Sequence, residues 1–168
     1  MNEPKKPRLG VLALMLAAYE PLFPGITEAQ RRYLTGVLDG LSATADFVFP
    51  KIALCREDME ELTAQYNRDD LDGIVIFLLS YAQGQYLVRA LQRNRLPLAL
   101  ALIQPDETAG ADFEEWELTV NQGIHGSQDC ANALMRAGIP CAFYAGSRHD
   151  EGLGRFLSLI HISEPTTP

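Results

Sequence analysis

The sequence predicts an α/β fold: a doubly wound, mainly parallel sheet of five strands with helices on both faces. Two observations carry this. Apolar runs of strand length alternate strictly with amphipathic helical segments, the order that builds parallel sheets through right-handed crossovers. The runs are also continuously apolar rather than alternating, which marks strands buried on both faces.

The first strand is "RLGVLALML" and the loop after it is "AAYEPLFPG", punctuated by two prolines and a glycine. "TEAQRRYLTGVLDGLS" is helical, with Thr27 and Gln30 spaced as a capping box and Tyr33, Leu34, Val37, Leu38 and Leu41 as its apolar stripe. "ADFVF" is a short strand ended by Pro50. "REDMEELTAQYN" is a helix with acids in its first turn, where the dipole favours them. "DGIVIFLLS" is a strand, "GQYLVRALQRN" a helix and "PLALALI" a strand, followed by the polar excursion "QPDETAGADFEEWE". "SQDCANALMRAG" is a helix closed by Gly138, and "PCAFYAG" is the fifth strand. The architecture expected is Rossmann-like, of the flavodoxin-like kind.

Length and composition narrow the function. At 168 residues the chain suits one domain, and 47% hydrophobic residues give it a core that needs no disulfides. A net charge of −8 disfavours nucleic acid and anionic membrane as partners, because a phosphate surface needs a basic face. The three cysteines, Cys55, Cys130 and Cys141, lack CxxC spacing, so neither a zinc site nor a disulfide framework is expected and a cytoplasmic setting fits. No apolar run reaches the roughly 20 residues of a membrane span, and "LGVLALMLAA" reads as a buried strand rather than a leader.

In such sheets ligands bind beyond the carboxyl ends of the strands. The loops expected there are 17–25, 80–85, 104–111 and 146–150, with "NQGIHG" on the approach to the fourth helix. No GxGxxG, P-loop or GxSxG elbow is present, so a nicotinamide or ATP site is not expected. Asn121, Gln122 and His125 offer donors and acceptors suited to a polyhydroxylated ligand, and Gly123 and Gly126 would let the backbone approach it. Tyr81, with Gln83 and Gln85, and Tyr19, beside Glu20, could present rings and hydroxyls at the same rim. Each of these also reads as ordinary loop, capping or packing chemistry. His149 and Asp150 lack partners at metal-ligand spacing and read as a solvated loop.

Three stretches carry a resemblance: "GVLALMLAAYEPLFPGITEAQRRYLTGV", "DGIVIFLLSYAQGQYLVRALQRNRLPLALALIQP" and "NQGIHGSQDCANALMRAGIPCAFYAG". With "LSYA", "IQP" and "NQxxHG" in order, the segment Arg8–Arg148 resembles the N-terminal domain of the L-fucose/L-arabinose isomerase family. The resemblance implies a metal-dependent aldose–ketose isomerase, a homo-oligomer using Mn²⁺ or a similar divalent cation, with a small sugar as substrate. It implies that Gln122 and His125 contact sugar, that Tyr81 lies near it, and that the metal ligands and acid/base residues belong to later domains. The chain alone would then hold no metal and no catalytic residue, and would not catalyse. A sugar-binding or sensory module resembling a periplasmic-binding-protein lobe is the alternative. A response-regulator-like domain fits less well, because "ALMLAAYE" has one acid and "CAFYAGS" no lysine.

The end of the chain reads differently. "LSLIHISEPT", Leu157–Thr166, resembles the translation of a transposase-type sequencing adapter. On that reading residues 1–156 form the domain, 157–168 are a tail foreign to the fold, and the tail leaves Leu157, Leu159, Ile160 and Ile162 without a designed partner.

Overall fold

The structure is a computed structural model that describes residues 6–147 and 149–160. Its centre is a parallel sheet. Strand β1 (Arg8–Leu14) pairs with β4 (Gly73–Leu78) in register Leu9↔Gly73 through Leu14↔Leu78. Beyond β4 come β5 (Leu98–Leu102) and the edge strand β6 (Ala142–Ala145). On the other side of β1 lie β2 (Asp46–Val48) and β3 (Ile52–Ala53), so the order is β2-β1-β4-β5-β6 with β3 continuing the line of β2. This is the expected doubly wound α/β fold, with β2 and β3 as one strand position in two pieces.

The break has a local cause. Gly10 pairs with Val48 and Ala13 with Ile52, so four residues on the outer strand oppose three on β1. Pro50 falls in that gap, where it removes a ladder donor and the extra residue is accommodated as a bulge. The sequence reading ended the strand at Pro50 and missed its resumption at Ile52.

The helices divide over two faces. On one face α2 (Ile26–Gly40) and α7 (Glu151–Ser158) bury Ile26, Leu34, Val37, Leu38, Leu153 and Leu157 against Val11, Val75 and Phe77. On the other, α3 (Arg56–Arg68), α4 (Gly84–Leu91) and α6 (Gly123–Arg136) bury Met59, Leu62, Leu87, Cys130 and Leu134 against Leu12, Ile74 and Ile76. Two short helices, α1 (Tyr19–Leu22) and α5 (Glu115–Val120), sit within segments expected to be loop.

Three details differ from expectation. Helix α2 has no capping box: its N-cap is Gly25 at φ 89, with no side-chain cap. Glu20 of α1 reaches over instead, accepting from the amides of Gly25 at 2.7 Å and Thr27 at 3.0 Å. Gln30 is therefore released from capping and turns inward, 1% exposed. Second, α6 begins at Gly123, so "NQGIHG" is a helix start rather than a flexible loop.

Third, α7 runs across the expected 156/157 boundary. Leu157 is fully buried and Ile160 is 3% exposed, whereas Leu159 is 56% exposed. The spacing Leu153, Leu157, Ile160 is a helical stripe, and a stripe with apolar surface to cover will pack whatever its origin. Residues 157–160 thus do not stand apart from the fold as expected. Ile162 and the rest of the tail lie outside the described residues.

Candidate functional site at the carboxyl edge of the sheet

The chain leaves β1 toward β2 and β4 toward β5, in opposite directions. The carboxyl ends of these adjacent strands are therefore the switch point in strand order, the edge where this fold class places ligands. Main-chain bonds tie the loops at this edge together: the Leu16 amide donates to the Tyr81 carbonyl at 3.2 Å and the Ala17 amide to the Leu54 carbonyl at 3.3 Å.

Helix α6 is drawn onto this edge by glycine. A Cβ on Gly123 would fall on the Leu78 carbonyl oxygen, far inside van der Waals contact. One on Gly126 would lie 3.0 Å from Leu78 Cδ1 and 3.1 Å from the Ser80 carbonyl. Neither glycine has positive φ. They serve close helix–strand packing rather than the ligand approach read from sequence.

That packing brings candidate residues together. The Tyr19 hydroxyl donates to Gln122 Oε1 at 3.2 Å, across 103 residues of chain. Gln122 is the N-cap of α6, and His125 stands exposed in the first turn, its amide bonded to the Gln122 carbonyl at 3.1 Å. The Tyr81 hydroxyl donates to Asp129 Oδ2 at 3.1 Å. That bond to a carboxylate, followed by burial, holds the Tyr81 phenol above its ordinary pKa, and Tyr19 is near enough to add to the effect.

Other candidates have structural duties. Asn121 is 8% exposed and ties down the 104–112 loop: its Nδ2 donates to Asp106 Oδ2 at 2.8 Å and its Oδ1 accepts from the Asp106 amide at 3.1 Å. Gln85 donates to Gln83 at 2.9 Å on the exposed flank. Asp150 caps α7, accepting from the Gly152 amide at 2.8 Å and from the Tyr144 hydroxyl at 2.9 Å. His149 lines a groove along α2 with Arg32 and Tyr33. Ser147 and Glu107 are hydrogen-bonded, joining the loops after β5 and β6.

Sequence reasoning missed two residues. Gln30 donates from Nε2 to the Leu79 carbonyl at 2.5 Å and the Val120 carbonyl at 2.9 Å, beneath the rim. Asp129 was hidden by a misplaced helix start; with α6 beginning at Gly123, its spacing of four from His125 is legible.

Among the described residues no group of three or more His, Cys, Asp or Glu could hold a metal. Burial pushes both Cys130 and Cys141 up to about 12, so neither is a ready thiolate. A groove of about 790 Å³ between α3 and α4 is lined by Glu60, Thr63, Asn67 and Arg89. Its polar groups are largely spent on neighbours, as in Arg89–Glu60 at 3.1 Å and Asn67–Asn94 at 2.8 Å. Among the described residues no helix is long and apolar enough to cross a membrane.

No family model and no curated protein matches the chain. Among solved structures, a ferulic acid esterase is similar at 13% identity, covering 95% of this chain and 85% of that one, with a TM-score of 0.28. At that score the likeness carries no argument.

Proposed function

We propose that the chain is the substrate-pocket domain of an aldose–ketose sugar isomerase of the L-arabinose/L-fucose type. The observation that carries the reading is the Tyr19–Gln122 hydrogen bond, one turn from His125, at the carboxyl edge of β1 and β4. Residues singled out separately in sequence meet there, at the edge where such sheets bind ligands.

The hydrogen-bond inventory supports a neutral polyol. Tyr19 spends its only O–H on Gln122, which leaves phenol lone pairs to accept and Gln122 amide N–H groups to donate. Sugar hydroxyls do both. The carboxylates of Asp129 and Glu20 nearby disfavour an anionic ligand. The part of Tyr19, Gln122 and His125 in the reaction is to orient hydroxyls. The divalent ion would act as Lewis acid on the sugar's oxygens from residues other than those described.

The test is titration of the chain with L-arabinose and L-fucose, followed by NMR shifts of the Tyr19, Tyr81 and Gln122 side chains. Saturable shifts at these residues are expected, weaker by roughly 3- to 10-fold in Gln122→Ala and His125→Ala, as for loss of one neutral hydrogen bond. No ketose should form with Mn²⁺ added. Absence of shifts at the rim, or equal binding of a sugar phosphate, would sink the reading.

A further inference from the structure

Asp129 lies one helical turn beyond His125 on α6, so the two side chains share a face of the helix. Its Oδ2 accepts twice: from the Tyr81 hydroxyl at 3.1 Å and from the Gly84 amide at 3.0 Å. The second bond needs a close approach. A Cβ on Gly84 would stand 2.7 Å from the Asp129 carbonyl oxygen and 2.9 Å from Ala133 Cβ, so glycine is what lets the start of α4 lie against α6.

The chemistry of this contact is directional. A phenol has one proton to donate, and a carboxylate can only accept. Once Tyr81 donates to Asp129, its oxygen has only lone pairs left to offer. The carboxylate also clamps both ends of the 81–84 turn, since one bond reaches its first residue and the other its last.

We propose that Asp129 is a positioning residue for the rim: it fixes the Tyr81 hydroxyl as a hydrogen-bond acceptor and holds the 81–84 turn against α6, so a ligand hydroxyl must donate to Tyr81. The consequence for sugar rests on the reading above; the positioning itself rests on the contact. The raised pKa of the Tyr81 phenol agrees with a charged acceptor on its proton.

The experiment uses the full chain, with ring-labelled tyrosine assigned through Tyr81→Phe. Tyr81 is titrated by NMR in the unaltered chain, Asp129→Asn and Asp129→Ala, and each is then titrated with L-arabinose. In both variants Tyr81 is expected to lose its proton at lower pH than in the unaltered chain. L-arabinose binding is expected to weaken by roughly 3- to 10-fold in Asp129→Ala. Asp129→Asn should recover part of this, because its amide oxygen still accepts from Tyr81. If Asp129→Ala fails to fold, the near-isosteric Asn variant carries the titration. The same Tyr81 titration in every folded chain overturns the proposal, as does undiminished L-arabinose binding by Asp129→Ala. Should the unaltered chain ignore L-arabinose while Tyr81 still shifts in the variants, the sugar reading fails and the positioning role stands.

Discussion

Gly123 and Gly126 show how one residue type can be read two ways. In sequence they flank His125 and suggest a bendable ligand loop; in the structure they are helical and lie on the end of β4. Their spacing of three was the available clue, since it puts both on one side of a helix. The two roles predict different mutants. Gly123→Ala must displace the Leu78 carbonyl, which is main chain and cannot swing away, so it should lose about 1–3 kcal/mol. Gly36 also sits inside a helix, but nothing lies within 4 Å of an added Cβ. Gly36→Ala should therefore gain up to about 1 kcal/mol through helix propensity alone. Urea unfolding of both variants gives opposite signs if the close approach at Gly123 is real, and the same sign if it is not.

At the scale of elements, helix α7 and the start of α3 each turn on one packed or charged contact. Leu157 is buried beside Leu153 in the core that α2 shares. Leu157→Ala should cost about 2–5 kcal/mol, and removal of residues 157–168 should lower the melting temperature. A chain ending at Phe156 that melts no lower would show that this packing contributes nothing. The element is hard to read in sequence because its stripe, Leu153, Leu157 and Ile160, spans only two turns and runs into "LSLIHISEPT". For α3 the contact is ionic. Its N-cap, Cys55, makes no side-chain cap bond, and Asp58 instead accepts from the Leu54 amide at 3.0 Å and Lys51 Nζ at 2.6 Å. Burial alone would raise the Asp58 pKa, but the Lys51 and Leu54 bonds outweigh it and the net shift is downward. A folded pKa below the unfolded value of about 3.9 means stability present above that pH and lost as pH falls through the folded value. Asp58→Asn should flatten the acid side of the stability profile below about pH 5, measured by urea midpoints from pH 7 to pH 3.

Across the whole molecule, the sheet was legible because continuous apolar runs such as "GVLALML" and "GIVIFLL" have one stable use in an alternating chain: strands covered on both faces. The short elements α1, α5 and β3 were not, because stretches of four, six and two residues carry no periodicity to read. The candidate residues of the rim could be named from sequence but the bonds between them could not, since hydrogen bonds across 103 residues leave no local mark. Gln30 is the clearest case. In sequence it completes a capping box; in the structure it binds α2 to the end of β4 and the end of α5 at once, across 49 and 90 residues. Gln30→Met keeps the side chain's bulk and removes the donor, leaving the Leu79 and Val120 carbonyls without it in a buried place. The expected loss is roughly 1–3 kcal/mol. Because Val120 directly precedes the Asn121–Gln122 corner, amide exchange at His125 should also quicken, through the bond its N–H makes to the Gln122 carbonyl. Urea midpoints and native-state exchange read the two effects separately. A midpoint equal to that of the unaltered chain would mean other donors satisfy both carbonyls, and a lowered midpoint with unchanged His125 exchange would mean Gln30 stabilises the core without positioning the rim.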